Sequence, residues 1–285
     1  MVGMTAETDA LQHFTVHHDG VTIPVSHGGA GRPLVLCPGL TSTRAELHEL
    51  VELLRRDHHL VTFDLRGHGH TSPAEHYSLE ALLGDLTAVL TALHRLGLAA
   101  PVLAGHSYGA DLILHYTAEH PGAVAGLVLI DGANPVPAPF VTAADLPELR
   151  AMWENLAIWQ RTVAGTPRQV SLTAREILDL NLELDVIRSG IDLDIDIAGP
   201  GIIERYRMID CPIHMIMSAS MAGDGGERAP RHNRLWRAGI DRLLRERPEI
   251  ATTWLDATHA LVVTHAAEVA RIIRDAYGPA DRANS

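Results

Sequence analysis

Five short apolar runs alternate with longer helical patterns along this chain, and that alternation restricts its fold more than any other feature. The runs are Leu34-Val35-Leu36, Leu60-Val61-Thr62-Phe63, Pro101-Val102-Leu103-Ala104, Leu127-Val128-Leu129-Ile130 and Ile213-His214-Met215-Ile216-Met217. Each is bounded by Gly, Pro, Asp or Ser, and each predicts a strand covered on both faces. Between them apolar residues recur at helical spacing over residues 43–56, 79–96 and 110–119, with Ser78 placed to cap the second helix and Gly97 to stop it. Strand alternating with helix requires a parallel sheet joined by right-handed crossovers. A hairpin over residues 14–18 and 21–26, turning at Asp19-Gly20, starts the sheet.

The alternation stops after Ile130. Residues 134–210 carry Pro135, Pro137 and Pro139, then helical patterns near 144–163, 173–187 and 202–208, without a strand pattern. It resumes at Ile213, followed by a helix near 231–245, a strand near 251–255 and a last helix near 265–277; the tail after Gly278 is expected to fray. The predicted class is α/β: a doubly wound, mostly parallel sheet of eight strands with a helical cap inserted after the sixth. The core domain takes residues 1–133 and 211–285, and the cap takes 134–210. A chain of 285 residues buries about 75% of its unfolded surface, enough for one large core.

Composition removes several chemistries. All 23 basic residues are arginine, so Schiff-base catalysis, lysine-dependent phosphate loops and Ser-x-x-Lys acylases are excluded. A net charge of −12 with scattered arginines argues against a nucleic-acid partner. The arginines between Arg228 and Arg247 alternate with Leu235, Trp236, Ile240, Leu243 and Leu244, which reads as the solvated side of an amphipathic helix. Eighteen histidines, if half protonated near pH 6.5, raise the charge by roughly nine to about −3, so solubility is expected to fall just below neutrality. Cys37 and Cys211 form no disulfide framework or zinc pattern and read as small buried residues, which fits a cytoplasmic protein. No apolar run reaches the roughly 20 residues of a membrane helix, and no signal peptide is expected ahead of Arg32, the first basic residue. The expected partner is a small-molecule substrate, with no nucleic acid and no membrane; a homodimer is left open.

Gly105-His106-Ser107-Tyr108-Gly109 follows directly on a predicted strand and precedes a helix. A sharp strand-to-helix turn of this kind lifts the serine hydroxyl above the sheet and aims a helix N-terminus at the reacting carbon. Leu36-Cys37-Pro38-Gly39-Leu40, the loop Phe63-Asp64-Leu65-Arg66-Gly67-His68-Gly69-His70-Thr71-Ser72, and Asp256-Ala257-Thr258-His259-Ala260 stand at the ends of other strands. With these landmarks the chain resembles the α/β-hydrolase family over nearly its whole length.

The resemblance implies a serine hydrolase acting on a carboxylic ester, thioester or lactone through an acyl-serine intermediate, without metal or organic cofactor. Ser107 is then the nucleophile and His259 its base, and the N–H groups of Leu40 and Tyr108 hold the oxyanion at about 2.7–4 kcal/mol per donor. Pro38 stands where the family often has His. A serine at position 107 departs from the haloalkane dehalogenase and epoxide hydrolase branches, which use Asp. The family usually places its acid after the strand that follows the insertion, but Met221 stands there and Asp224 arrives three residues late. Asp131, one strand earlier, is similar to the placement in some relatives and is favoured; Asp224 is its rival. Two other functions are carried forward: a tailoring enzyme of the same fold, cleaving C–C bonds or acting as cyclase or lyase, and a non-catalytic ligand receptor.

Other residues have plainer readings. Asp64, Arg66, His68 and His70 read as loop scaffolding, and two histidines without a nearby acid and third ligand are no metal site. Asp111 reads as a partner of the helix dipole or as pocket lining. Met152, Trp153, Leu156 and Trp159 recur at helical spacing, which predicts packing of the cap on the core with one or two of them facing substrate.

Overall fold

Side chains alternate across the central strands, and both faces of the sheet are apolar, which forces helices onto each side. The computed structural model describes residues 11–192, 197–199 and 201–278, so the tail after Gly278 lies outside the described residues. Its strands are β1 (Gln12–His18), β2 (Val21–Gly28), β3 (Arg32–Cys37), β4 (His58–Phe63), β5 (Val102–His106), β6 (Gly126–Ile130), β7 (Ile191–Asp192), β8 (Ile197–Ala198), β9 (Ile213–Ser218) and β10 (Ala251–Leu255). Eight of them form one sheet in the order β1-β2-β4-β3-β5-β6-β9-β10. β1 and β2 pair antiparallel, as do β2 and β4, and every other pairing is parallel. This is the predicted eight-stranded, doubly wound class.

The helices are α1 (His48–Leu54), α2 (Leu79–Arg95), α3 (Tyr108–Glu119), α4 (Leu146–Thr162), α5 (Ala174–Ser189), α6 (Ile203–Arg207), α7 (Ala229–Glu246), α8 (Leu261–Thr264) and α9 (Ala266–Tyr277). Leu34, Leu36, Val102, Ala104, Val128 and Ile130 point to one face, where α1, α8 and α9 bury Leu50, Leu54, Leu261, Val269 and Ile273. Val35, Cys37, Leu103, Leu127 and Leu129 point to the other, against Leu86 of α2, Leu112 and Ile113 of α3, and Trp236 and Ile240 of α7.

Two elements differ from expectation. α1 is shorter than residues 43–56 because its first stretch is used in turns: the N–H groups of Glu46 and Leu47 both donate to the Thr43 carbonyl, and the Glu46 carboxylate returns to the Thr43 N–H at 3.1 Å. The insertion also holds a two-residue strand pair, β7 with β8, which is too short to leave a period-two signature.

The insertion, with α4, α5 and α6, is tied to the core by polar groups. Gly69 N–H donates to Gln169 O at 2.8 Å and Ser171 N–H to Gly67 O at 2.7 Å, so the loop after β4 is stitched to the segment before α5. The arginines at the start of α7 and just before it are not merely solvated. Arg228 pairs with Glu148 at 2.8 Å and Arg231 with Asp145 at 2.6 Å, both on the insertion. Asp111 stands in the first turn of α3, as the dipole reading expects, and also anchors the insertion. Its fully buried carboxylate receives both guanidinium arms of Arg188 from α5, with Nε at 2.9 Å, and the Ala133 N–H at 3.2 Å.

A buried ion pair broken on one side leaves an uncompensated charge, which costs about 3–5 kcal/mol, whereas an apolar replacement of both partners is often neutral. Arg188→Met is therefore expected to lower the urea midpoint sharply and Asp111→Leu/Arg188→Met to restore most of it. A single variant as stable as the parent contradicts this account of how the insertion is anchored.

Candidate active site

The backbone turns abruptly where β5 meets α3. Ser107 sits at φ 53° and ψ −120°, a conformation that side chains rarely adopt and that surrounding structure must enforce. Two glycines allow the close approach. A Cβ on Gly105 lies 2.4 Å from the Gly109 carbonyl oxygen, and one on Gly109 lies 2.5 Å from the Cys37 carbonyl oxygen. The Ser107 N–H is fixed on the Ile130 carbonyl at 2.9 Å.

Ser107 Oγ donates to His259 Nε2 at 2.7 Å, and His259 Nδ1–H donates to Asp131 Oδ2 at 2.8 Å. Asp131 follows β6 at φ 47° and is fully buried. Three more donors converge on it: the Ser218 N–H at 2.9 Å and Trp236 Nε1–H at 2.9 Å on Oδ1, and the Ser218 hydroxyl at 2.6 Å on Oδ2. Burial alone raises the pKa of such a carboxyl, but the His259 contact and the Ser218 donors outweigh it and hold Asp131 below its ordinary value. Asp224 is exposed on the loop after β9 and makes no hydrogen bond or ion pair among the described residues.

His106 straps the His259 loop to the turn. Its Nε2–H donates to the His259 carbonyl at 2.9 Å, and the two rings lie 4.9 Å apart. Burial and the neighbouring His259 push the His106 pKa far down, so it stays neutral beside the serine. Sequence reasoning missed His106, Ser218 and Trp236. The first lay inside the Gly-x-Ser-x-Gly motif, the second on the strand before the expected acid, and the third among the apolar residues of the helix read as amphipathic.

The loop holding Leu40 packs directly on the serine: a Cβ on Gly39 lies 3.0 Å from Ser107 Cβ. Tyr108 opens α3, so its N–H has no acceptor within the helix. The Leu40 N–H takes no acceptor among the described residues. His68 fixes this loop from below. Thr41, at φ 66°, donates its N–H to His68 Nε2 at 3.0 Å, and His68 Nδ1–H donates to the Arg66 carbonyl at 2.8 Å. The ring is thereby locked as one neutral tautomer. Among the described residues no three His, Cys, Asp or Glu side chains gather as a metal site.

A cleft of about 560 Å³ opens on Ser107 and His259, walled by Leu40, Thr41, Glu46, Met221, Val262 and Val263. Among the described residues none of the insertion lines it. The Tyr108 side chain is buried in the core. Met152 and Trp159 are 38% and 40% exposed, Leu156 packs on the core, and the Trp153 side chain lies outside the described part.

The alpha/beta hydrolase fold family matches residues 32–188, more than half of the chain, and the protein belongs to that family. It is 32% identical over 128 residues to the AB hydrolase superfamily protein YisY of Bacillus subtilis, covering 44% of this chain and 47% of YisY. It is 34% identical over 107 residues to the N-formylmaleamate deformylase of Pseudomonas putida, covering 37% of this chain and 39% of that protein. The chain thus spans less than half the length of these relatives. A carboxylesterase structure from the thaumarchaeon Nitrososphaera gargenis superposes with a TM-score of 0.65 at 19% identity, over 93% of this chain and 97% of the other, which is a likeness of fold. No described helix is long and apolar enough to cross a membrane.

Burial also changes the charge balance read from the histidine count. His27, His58, His68, His106, His115, His214 and His232 all have lowered pKa values, so the expected loss of net charge is displaced to lower pH. His68 is held down to about 4 by burial, against 6.5 for a free imidazole. The unfolded chain binds that proton first, so the stability contributed by neutral His68 is intact above about 6.5 and is withdrawn as pH falls towards 4. Urea midpoints measured from pH 7.5 to 4.5 are expected to fall less steeply for His68→Gln than for the parent. Equal slopes contradict the assignment.

Proposed function

We propose that the protein is a serine hydrolase that cleaves a carboxylic ester, thioester or lactone of a small hydrophobic molecule. The observation that carries this reading is the unbroken hydrogen-bond chain from Ser107 through His259 to Asp131. The kinship to a deformylase and the fold likeness to a carboxylesterase support acyl transfer as the class of chemistry.

Ser107 is the nucleophile. As Oγ attacks the substrate carbonyl, its proton passes to His259 Nε2, and the imidazolium is stabilised by the Asp131 carboxylate, which stays ionised. The developing oxyanion is held by the N–H groups of Leu40 and Tyr108, main-chain donors already in place before the reaction. His259 then gives its proton to the departing oxygen or sulfur, leaving the acyl group on Ser107. Water enters along the reverse path, with His259 again as base. No cofactor is needed for these steps. Residues 134–210 serve as a cap on the core formed by 1–133 and 211–285.

A non-catalytic receptor needs no carboxylate beside His259, so the Asp131 contact at 2.8 Å favours the hydrolase over the receptor alternative. The tailoring alternative uses the same groups, and labelling of Ser107 without ester turnover favours it.

In this reading a fluorophosphonate probe labels the parent and not Ser107→Ala, and p-nitrophenyl butyrate is hydrolysed by the parent only. Asp131→Asn is expected to lower kcat by about four orders of magnitude, as loss of the acid does in comparable triads, and Asp224→Asn to leave it within about twofold, because the exposed Asp224 touches none of these groups. A folded parent that neither labels nor turns over esters, or a large loss confined to Asp224→Asn, overturns the reading.

A further inference from the structure

The cleft on Ser107 has an uneven chemistry. Leu40, Met221, Val262 and Val263 give it apolar walls, with Val263 50% exposed at the rim. Apart from His106 and His259, Glu46 is the one ionisable side chain among its lining residues. Its carboxylate is half-buried and oriented by the Thr43 N–H at 3.1 Å, with no ion pair to any cation among the described residues. Burial raises the Glu46 pKa, opposed by the Thr43 N–H, the exposed Arg168 of the insertion and the Ser42 side chain. The cations nearest in sequence are engaged elsewhere: Arg44 contacts Asp64 and Ser26, and Arg55 pairs with Glu52.

We propose that Glu46 is a specificity-determining residue which makes this cleft select esters carrying a quaternary or primary ammonium group and disfavour esters carrying a carboxylate. The inference rests on the hydrolase reading above. A fixed charge between apolar walls attracts an opposite charge more strongly than the same carboxylate does in open water. A substrate carboxylate meets like charge there, and the lining residues include no guanidinium to pair with it, Arg168 reaching Glu46 from outside the lining. The apolar residues leave room for the methylene or methyl groups of an alkylammonium ion.

The test uses the whole chain at pH 8. On the acyl side, p-nitrophenyl esters of ω-(trimethylammonio)hexanoate and of adipic acid as its monoester are compared through kcat/KM. On the alcohol side, butyrylcholine is compared with its uncharged tert-butyl isostere. The cationic member of at least one pair is expected to be preferred roughly tenfold, the scale of a single partly desolvated charge contact. Glu46→Gln, which retains an oxygen to accept the Thr43 N–H, is expected to bring the ratio within about twofold, and added salt to shrink the parent's preference. Glu49→Gln on the exposed side of α1 controls for net charge and should leave the ratio as in the parent.

A ratio that Glu46→Gln does not move, or a preference for the anionic ester, overturns the proposal. Binding of butyltrimethylammonium, followed by NMR, separates it from the hydrolase reading. Cation binding that weakens in Glu46→Gln upholds the selectivity even if no ester is turned over, a result that counts against the chemistry alone. Ester turnover with no cation binding and no charge preference sinks the selectivity and leaves the chemistry standing.

Discussion

The site depends on one buried carboxylate. Asp131 is removed from water at the end of β6 and receives four donors, from His259, Trp236 and both polar groups of Ser218. An ionised carboxylate in that position is tolerable only because those donors replace its hydration. In return it fixes the His259 ring: Nδ1 must carry the proton, and Nε2 is left to accept from Ser107. Three separate strand ends and α7 thus meet at one oxygen pair, and the relative placement of β5, β6, β9 and β10 is what brings them there.

Around that point the chain spends polar groups on rigidity. His68 holds the Leu40 loop by accepting from Thr41, and His106 holds the His259 loop by donating to its carbonyl. His68 can accept only as a neutral imidazole, and burial lowers the pKa of both rings so that they stay neutral in mild acid. The insertion is anchored separately, by Arg188 on Asp111 and by Arg228 and Arg231 on Glu148 and Asp145. The cleft on Ser107 lies under the loops after β3, β9 and β10.

Most of the fold was legible because its signals are local. Consecutive apolar residues such as Leu127 to Ile130 identify a doubly covered strand, and Ser78 does cap α2 through its hydroxyl, on the Ala81 N–H at 3.2 Å. Ser107 and His259 were legible for the same reason, as motif and position coincide with strand ends. The choice between Asp131 and Asp224 was not local: it turns on which loop passes the His259 ring, a tertiary fact. Ser218, Trp236 and His68 escaped because their roles consist of single hydrogen bonds across long sequence separations, carried by residues with ordinary local explanations. The pocket walls were not legible on α4, because helical spacing reports which face is apolar, not what covers it.

The most direct measurement is the tautomeric state of His259, read by proton–nitrogen NMR on histidine-labelled protein near neutral pH. The account predicts that Nδ1 carries the proton shared with Asp131, strongly deshielded, and that this signal disappears in Asp131→Asn. A His259 ring found protonated at Nε2, or one whose tautomer is the same with and without the Asp131 carboxylate, contradicts it.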